Sequence, residues 1–540
     1  MTREAADRLL ARVWSELGRD EGELALLAPL PDAPLPARLD VSALAVASVA
    51  AASLAGWAHA ATPGSIRLDG DRIAGVFQSE RVARFDGVAP EVWSPLSGFR
   101  RARDGWVRTH GNYPHHAAAL RRVLGLSNAD AAVPALVDAA VAERGARELA
   151  AEVTEAGGMC VVVEPEDPAA DARLASGPLI ELVQLGDAPV RPPTGSEAGP
   201  LPLAGIRVLD LTRVIAGPVA TRTLALLGAQ VLRIDPPEPA ELGWQHLEGG
   251  PGKRTALLDA RTADGAARLD ALVAEADVVV LGYRPNSLAG IGLDPASLAA
   301  RHPGLVVGQL SAWGHEGDAA RRGGFDSLVQ AASGIALIEG TDGAPGALPA
   351  QALDHASGYL LAAAICSLLD RRRLEGGSLL ARLSSAGPRP SCCAFRDGTA
   401  PPARGHSTTP PARPSPSTSQ GRPAPSGSRC PRSPPRRGRW SGGAHRMRGA
   451  RMPRNGPNDG RHARDAGPSC SSPRRYVKYS FVAPQEREKR ESFSSSSGTN
   501  NPEPDDDSIV RVRSVRNGPQ WITGWRTEQP RLIGPPRATG

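Results

Sequence analysis

The residues with the most chemical content lie in the run from Gly323, GGFDSLVQAASGIALIEGTDGAPGALPAQALDHASGYLLAAAICSLLDRR. Asp354 stands there after a loop rich in glycine and proline, just before a long apolar helix expected to begin near Ala356. Two roles fit a carboxylate in that place. It is an N-cap, accepting hydrogen bonds from the free amides of the first turn. Alternatively it is a nucleophile toward an activated carbonyl, partly desolvated at the mouth of a cleft and held by backbone donors. His355 reads as a surface or cap histidine with no catalytic role. A second candidate is Val214–Pro218, VIAGP, between a predicted strand and a predicted helix. Free backbone amides and the positive end of a helix favour a phosphate or a carbonyl there. Gly217 and Pro218 account for the same residues as a plain turn, and the pattern is not G-x-G-x-x-G. His110, His115 and His116 lack a carboxylate or cysteine partner at helpful spacing, so no metal site is expected.

The elements that must position these residues follow from the pattern after Pro202. Short β-branched runs alternate with helical stretches: IRVLDLT, PVATRTLALLGA, QVLRID, TALLDA, TADGAARLDALVAEA, DVVVLGY, DPASLAARHP and LVVGQLSAWG. Strands separated by helices imply parallel pairing and a sheet covered on both faces. The fold class is therefore α/β, with a Rossmann-like large domain. Asp294 followed by Pro295 predicts an N-cap with proline at the first helical position. Residues 1–186 form an earlier region, and the stretch GDAPVRPPTGSEAGP places a linker at 187–201. Residues 202–386 then carry the sheet pattern.

Charge divides the chain a second time. Residues 387–540 hold 28 basic and 11 acidic residues, a balance of +17, whereas the whole chain of 540 residues is only +6 and residues 1–386 are therefore −11. That basic part is Pro-, Arg- and Ser-rich without hydrophobic period, so it reads as a disordered tail unable to bury enough apolar surface to order itself. The strand-like run ARLSSA stops at Ala386 with no element boundary, and we expect the tail to be translated out of the ancestral reading frame. Its charge favours phosphates in a salt-dependent, sequence-blind way, while its scarce aromatics, Trp440, Tyr476 and Tyr479 among them, offer no stacking platform. Specific nucleic-acid recognition is not expected. Six cysteines, none in a C-x-x-C pair, point to reduced thiols and a cytoplasmic protein. Val41–Ala61 has no charged residue but is mostly Ala and Ser, and is expected to be a helix buried in protein and not a membrane span.

Three stretches in order, PLAGIRVLDLTRVIAGPVATRTLALLGAQVLRIDPP, KRTALLDARTADGAARLDALVAEADVVVLGYRPNSLAGIGLD and PAQALDHASGYLLAAAICSLLDRR, resemble the family III coenzyme A transferases. The resemblance covers Pro202 to about Ala386. It implies a Rossmann-like large domain with a smaller second domain, and homodimers whose chains thread through each other. It also implies transfer of coenzyme A from an acyl-CoA thioester to a carboxylic acid, through anhydride and thioester intermediates on one aspartate, which aligns with Asp354. Acyl-CoA is then a substrate and no tightly bound cofactor is needed. By the same resemblance the backbone of Val214, Ile215 and Ala216 lies along coenzyme A, and Leu258 and Arg261 contact its nucleotide. Without the resemblance Arg261 is an ordinary solvated charge.

The chain departs from formyl-CoA transferase in three places, with Pro236 and Gly290 where that enzyme has arginines and Gly282 where it has an asparagine. Arg213, Arg233, Lys253, Arg254 and Arg284 are candidate substitutes in gripping the nucleotide. The α-methylacyl-CoA racemases share the fold but carry a histidine at the position of Phe325, so a racemase needs His355 or His315 to approach from elsewhere. Residues 94–163 resemble what family members carry after the catalytic half, where a strand, a D-G-W turn and two helices lead back to the large domain. The glycine-rich loops that shield the aspartyl intermediate in formyl-CoA transferase are replaced by Ser97 and Gly98. The chain thus reads as the late part of one family unit followed by the early part of another, a fused tandem form that is either an active transferase or an inactive remnant.

Overall fold

Leu209 and Val279 bury on one face of a sheet while Val208, Val278 and Val280 bury on the other, because successive strand side chains point to opposite sides. Both faces are apolar, so helices must cover both, and this is the arrangement in the computed structural model, which describes residues 2–58, 65–190 and 201–387. The chain forms ten strands among these residues: β1 Gly98–Ala102, β2 Gly105–Thr109, β3 Cys160–Val162, β4 Glu181–Gly186, β5 Arg207–Leu211, β6 Gln230–Asp235, β7 Lys253–Leu257, β8 Val278–Leu281, β9 Val306–Ser311 and β10 Ser378–Ser384. Seven make one sheet in the order β4-β10-β9-β8-β5-β6-β7, parallel throughout except for β4, which runs antiparallel on β10. The α/β expectation holds. β5 has β6 on one side and β8 on the other, so the chain turns outward in opposite directions from β5. The crevice at the carboxyl ends of β5 and β8 is a topological switch point, where open parallel sheets take their ligands.

Residues 1–186 build on this sheet. The helix Val41–Ala58 packs along the helix Ala352–Glu375, and small side chains such as Ala47, Ala51, Ala55, Ala356 and Ala363, each 0% exposed, let the two approach closely. The uncharged stretch at Val41 is thus a core helix. Among the described residues only Ala352–Glu375 is long and apolar enough to cross a membrane, and 94% of its most apolar window is buried in protein. β1, β2 and β3 form a separate antiparallel sheet whose β1–β2 hairpin turns at Arg103–Asp104, so that only Asp104 of the anticipated D-G-W turn lies in the turn and Gly105 and Trp106 open β2. Five helices and β3 later, β4 returns the chain to the edge of the large sheet. Asp294 caps its helix by accepting from Ser297 N, with Pro295 at the first position, as the sequence predicts. Gly387 is the last described residue. The tail reading for 388–540, including the reading-frame expectation, lies outside the described residues, as do residues 191–200 of the linker and 59–61 of the uncharged stretch.

Candidate active site

The helix bearing Asp354 starts at Ala352, earlier than the sequence suggested, and Gln351 is its N-cap with no side-chain cap bond. Asp354 is therefore inside the first turn, and the N-cap reading of Asp354 is overturned. The capping carboxylate comes from elsewhere: Asp326 Oδ2 accepts from Asp354 N at 2.9 Å. Asp326 opens the helix Asp326–Ala332 and is 1% exposed, and its Oδ1 accepts from Gln330 Nε2. Asp354 keeps 7% exposure, and its Oδ1 accepts from Ser385 Oγ at 2.8 Å. Burial pushes the Asp354 carboxyl up to about 6, with Ser385 opposing the shift. Burial and the neighbouring Asp354 carboxylate push Asp326 upward as well. The Asp354 charge thus disfavours ionisation of Asp326, and the two carboxyl groups titrate together.

Gly358, one turn after Asp354, fixes where this helix sits. A Cβ there would come within 2.5 Å of Ala216 O, so only glycine allows the helix to touch the start of the helix Ala216–Leu226. The contact packs the helix that carries Asp354 against the start of the helix that follows β5, at the switch-point crevice. Val214 has φ 68°, a left-handed conformation that is strained for a β-branched residue, and its N donates to Glu241 Oε2 at 3.2 Å. Leu258 follows β7, two strands away, and is partly buried beneath the sheet. Arg261 stands on the surface with 62% of its side chain exposed, paired with Asp259 at 2.8 Å.

Two of the candidate substitutes for the missing arginines are not available. Lys253 is completely buried against Asp210 at 3.0 Å, and Arg233 is completely buried between Asp235 and Glu241 at 2.9 Å each. Arg254 and Arg284 are exposed, while Arg213 is mostly buried, with its guanidinium over the Tyr113 ring. Gly282 lies against Thr212, whose side chain would sit 2.9 Å from an added Cβ.

The histidines also take unexpected places. His355 is neither a surface nor a cap residue: it is 0% exposed, stacks on Phe77 at 5.2 Å, and burial pushes it down to about 4. His315 hydrogen-bonds with Leu383 O at 3.1 Å. His110 stacks on Phe325 at 3.9 Å, so an imidazole from the early region meets the position where a racemase carries its own. Burial and the nearby Arg108 push His110 down to about 3, leaving it neutral. Among the described residues no group of three or more His, Cys, Asp or Glu is placed to hold a metal.

Asp326, Ser385 and His110 were missed as site residues. Asp326 carried a local signal, an acidic residue opening a helix directly after Phe325. Ser385 and His110 depend on strand ends meeting across the fold, for which spacing gives no sign. Two surface cavities of about 580 Å³ and 380 Å³ lie elsewhere, the larger lined by Arg147, Thr154, Cys160, Glu164 and Arg322, and neither includes Asp354.

Residues 203–386 match the model of CoA-transferase family III. Over this segment the chain is similar to that family. A probable fatty acyl-CoA transferase of Mycobacterium tuberculosis is 35% identical over 198 residues, covering 34% of this chain and 50% of that protein. The alpha subunit of a succinyl-CoA–L-malate CoA-transferase of Chloroflexus aurantiacus is 34% identical over 176 residues, covering 30% and 40%. An acyl-CoA transferase of Gibberella moniliformis is 30% identical over 353 residues, covering 59% and 61%, a longer alignment than the family segment itself. The chain thus spans about half the length of the family III relatives it matches.

Proposed function

We propose that this chain transfers coenzyme A from an acyl-CoA thioester to a carboxylic acid, with Asp354 as the nucleophile. The carboxylate attacks the donor thioester carbonyl, forming a mixed anhydride and expelling the coenzyme A thiolate. The thiolate returns to the aspartyl carbonyl, releasing the donor acid and leaving an aspartyl thioester. The acceptor carboxylate attacks that thioester, and the thiolate then takes the acceptor acyl group from the new anhydride, restoring Asp354. Each exchange is nearly isoenergetic, so the protein's work is to position the groups and exclude water.

The observation that carries this reading is the placement of Asp354, buried to 7% exposure in the first turn of a helix whose next turn, at Gly358, meets Ala216 at the switch point. Burial keeps water from the anhydride, and a carboxyl pushed up to about 6 is still mostly ionised at neutral pH. The reading requires the pantetheine arm to reach this carboxylate, so turnover includes an opening around the first turn of the Asp354 helix. The backbone of Val214–Ala216 then lines the arm, Leu258 and Arg261 meet the nucleotide, no tightly bound cofactor takes part, and the working form is a cytoplasmic homodimer. The test is exchange of labelled coenzyme A between acid and thioester, with hydroxylamine trapping of the acyl-enzyme. Asp354→Asn should abolish both, and retained exchange sinks the assignment.

A racemase is the second reading, favoured by the His110 ring against Phe325. It requires exchange of the α-hydrogen of a branched acyl-CoA for deuterium, lost in His110→Ala. Absence of that exchange in the native chain removes it.

A further inference from the structure

The β1–β2 hairpin carries two inward arginines that are treated very differently. Arg100 is 5% exposed and donates through its two terminal nitrogens to Asp138 and to Pro95 O, with its Nε alone left unpartnered. Arg108, directly across the ladder from Phe99, is half-buried, and no carboxylate or carbonyl among the described residues accepts a hydrogen bond from it. Its guanidinium lies 4.9 Å from the centre of the Trp93 ring and 4.7 Å from that of Phe99. Its Nε is buried without a partner. Withdrawing a cation from water without supplying an acceptor is costly, and the aromatic faces return only part of that cost. Rings against the guanidinium plane leave its edge, the part that grips a carboxylate through two parallel N–H bonds.

The position of that edge decides what it holds. Arg108 and His110 are two residues apart on one strand end and so share a face. His110 stacks on Phe325, Phe325 precedes Asp326, and Asp326 binds the amide of Asp354. The hairpin also packs on the helix that Asp326 opens. Arg108 therefore stands two residues along the chain from His110, whose contacts lead through Phe325 and Asp326 to the nucleophile. We propose that Arg108, backed by Trp93 and Phe99, is the residue that holds a carboxylate of the acid exchanging coenzyme A. This inference rests on the transferase reading. It makes residues 93–110 part of the substrate site and gives the chain's early region a role in choosing the acid. The carboxylate is either the reacting group of the acceptor or, in a dicarboxylic acid, the group at its other end.

The experiment compares the native full chain with Arg108→Met, Arg108→Lys and Asp354→Asn, using acetate, butyrate, succinate and glutarate as acids. Melting temperature and circular dichroism check that each variant folds. Calorimetric titration measures acid binding without turnover, and coenzyme A exchange measures activity. Arg108→Met should weaken acid binding and raise KM for the acid at least tenfold, with KM for acyl-CoA unchanged. Arg108→Lys should recover part of the affinity, and Asp354→Asn should still bind acid. Loss for all four acids assigns the reacting carboxylate to Arg108, and loss for succinate and glutarate alone assigns the remote one. Unchanged acid affinity in Arg108→Met, or an equal rise in KM for acyl-CoA, overturns the subsite while exchange by the native chain leaves the transferase reading standing. Arg108-dependent acid binding without exchange by the native chain would instead retain the subsite and remove the transferase.

Discussion

Two groups of buried charges flank the crevice at the carboxyl ends of the strands, and they are solved in opposite ways. On the β5–β6 side each charge meets an opposite one, although Arg233 Nη1 is left without an acceptor: Lys253 meets Asp210, which also accepts from Thr212 and Thr221 at 2.5 and 2.6 Å, and Arg233 bridges Asp235 and Glu241. On the side of Asp354 the corresponding groups form no ion pair among the described residues: Asp326 and Asp354 accept only from neutral donors, and Arg108 has no hydrogen-bond acceptor. A fully paired buried network fixes a shape, whereas unpaired like charges are tolerated only where something else is gained. The contrast separates the residues that hold the sheet together from those reserved for a substrate.

The sharpest way to break this contrast is Asp354→Asn. Exchange should fall at least about a thousandfold. Stability should move the other way. Because burial raises the Asp354 carboxyl in the folded protein to about 6, its stabilising contribution is present below the unfolded value near 3.9 and is lost as pH rises through about 6. A neutral amide avoids that loss, so Asp354→Asn should be more stable than the native chain at pH 8, by up to about 3 kcal/mol, with the advantage vanishing near pH 4. Urea unfolding at the two pH values reads this directly, and a less stable variant at pH 8 would make the carboxylate a structural group.

Lys253→Met probes the matched side. It leaves Asp210 buried with hydroxyl donors alone, and the expected loss is about 3–5 kcal/mol. Arg108→Met breaks no ion pair and should change stability by less than about 1 kcal/mol. Similar losses for the two would erase the distinction between them. Gly358→Ala comes next in size. Its methyl meets Ala216 O, and the strain should outweigh the better helix propensity of alanine, leaving a net cost of about 1–2 kcal/mol together with a drop in exchange as Asp354 is pushed from the crevice.

These sites differ in how far the sequence revealed them. The matched side was legible as fold, since VVVL at β8 and RVLDL at β5 can only be strands covered on both faces, and Asp294–Pro295 announced its own helix start. Asp354 stood out through the loop before it and the apolar run after it. Its local role was misjudged because capping was assumed to be a matter of neighbours in sequence, whereas Asp326, 28 residues earlier, supplies the acceptor. Lys253 and Arg233 looked like surface charges because nothing in KRTAL tells that Asp210 lies within reach two strands away, and nothing in QVLRID tells that Arg233 and Asp235 are buried together. Arg108 and His110 were hidden for a related reason, as their meaning depends on a hairpin from residues 98–109 landing beside residue 325.

The smallest effect probes the balance within the unmatched side. Ser385 Oγ donates to Asp354 Oδ1 at 2.8 Å, which favours the ionised carboxylate and opposes the burial that disfavours it. Exchange in the native chain should therefore rise with pH through about 6 as the nucleophile ionises. Ser385→Ala removes the opposing donor, so the midpoint moves upward and the loss of kcat/KM is greater at pH 6 than at pH 8. The melting temperature should change little, since one hydrogen bond is worth about 1 kcal/mol. An acidic limb that stays in place in Ser385→Ala belongs to Asp326 instead, because that carboxyl accepts its bonds from Asp354 N and Gln330 and does not touch the serine. The position of the limb thus tells which member of the pair gives up the proton on which attack depends.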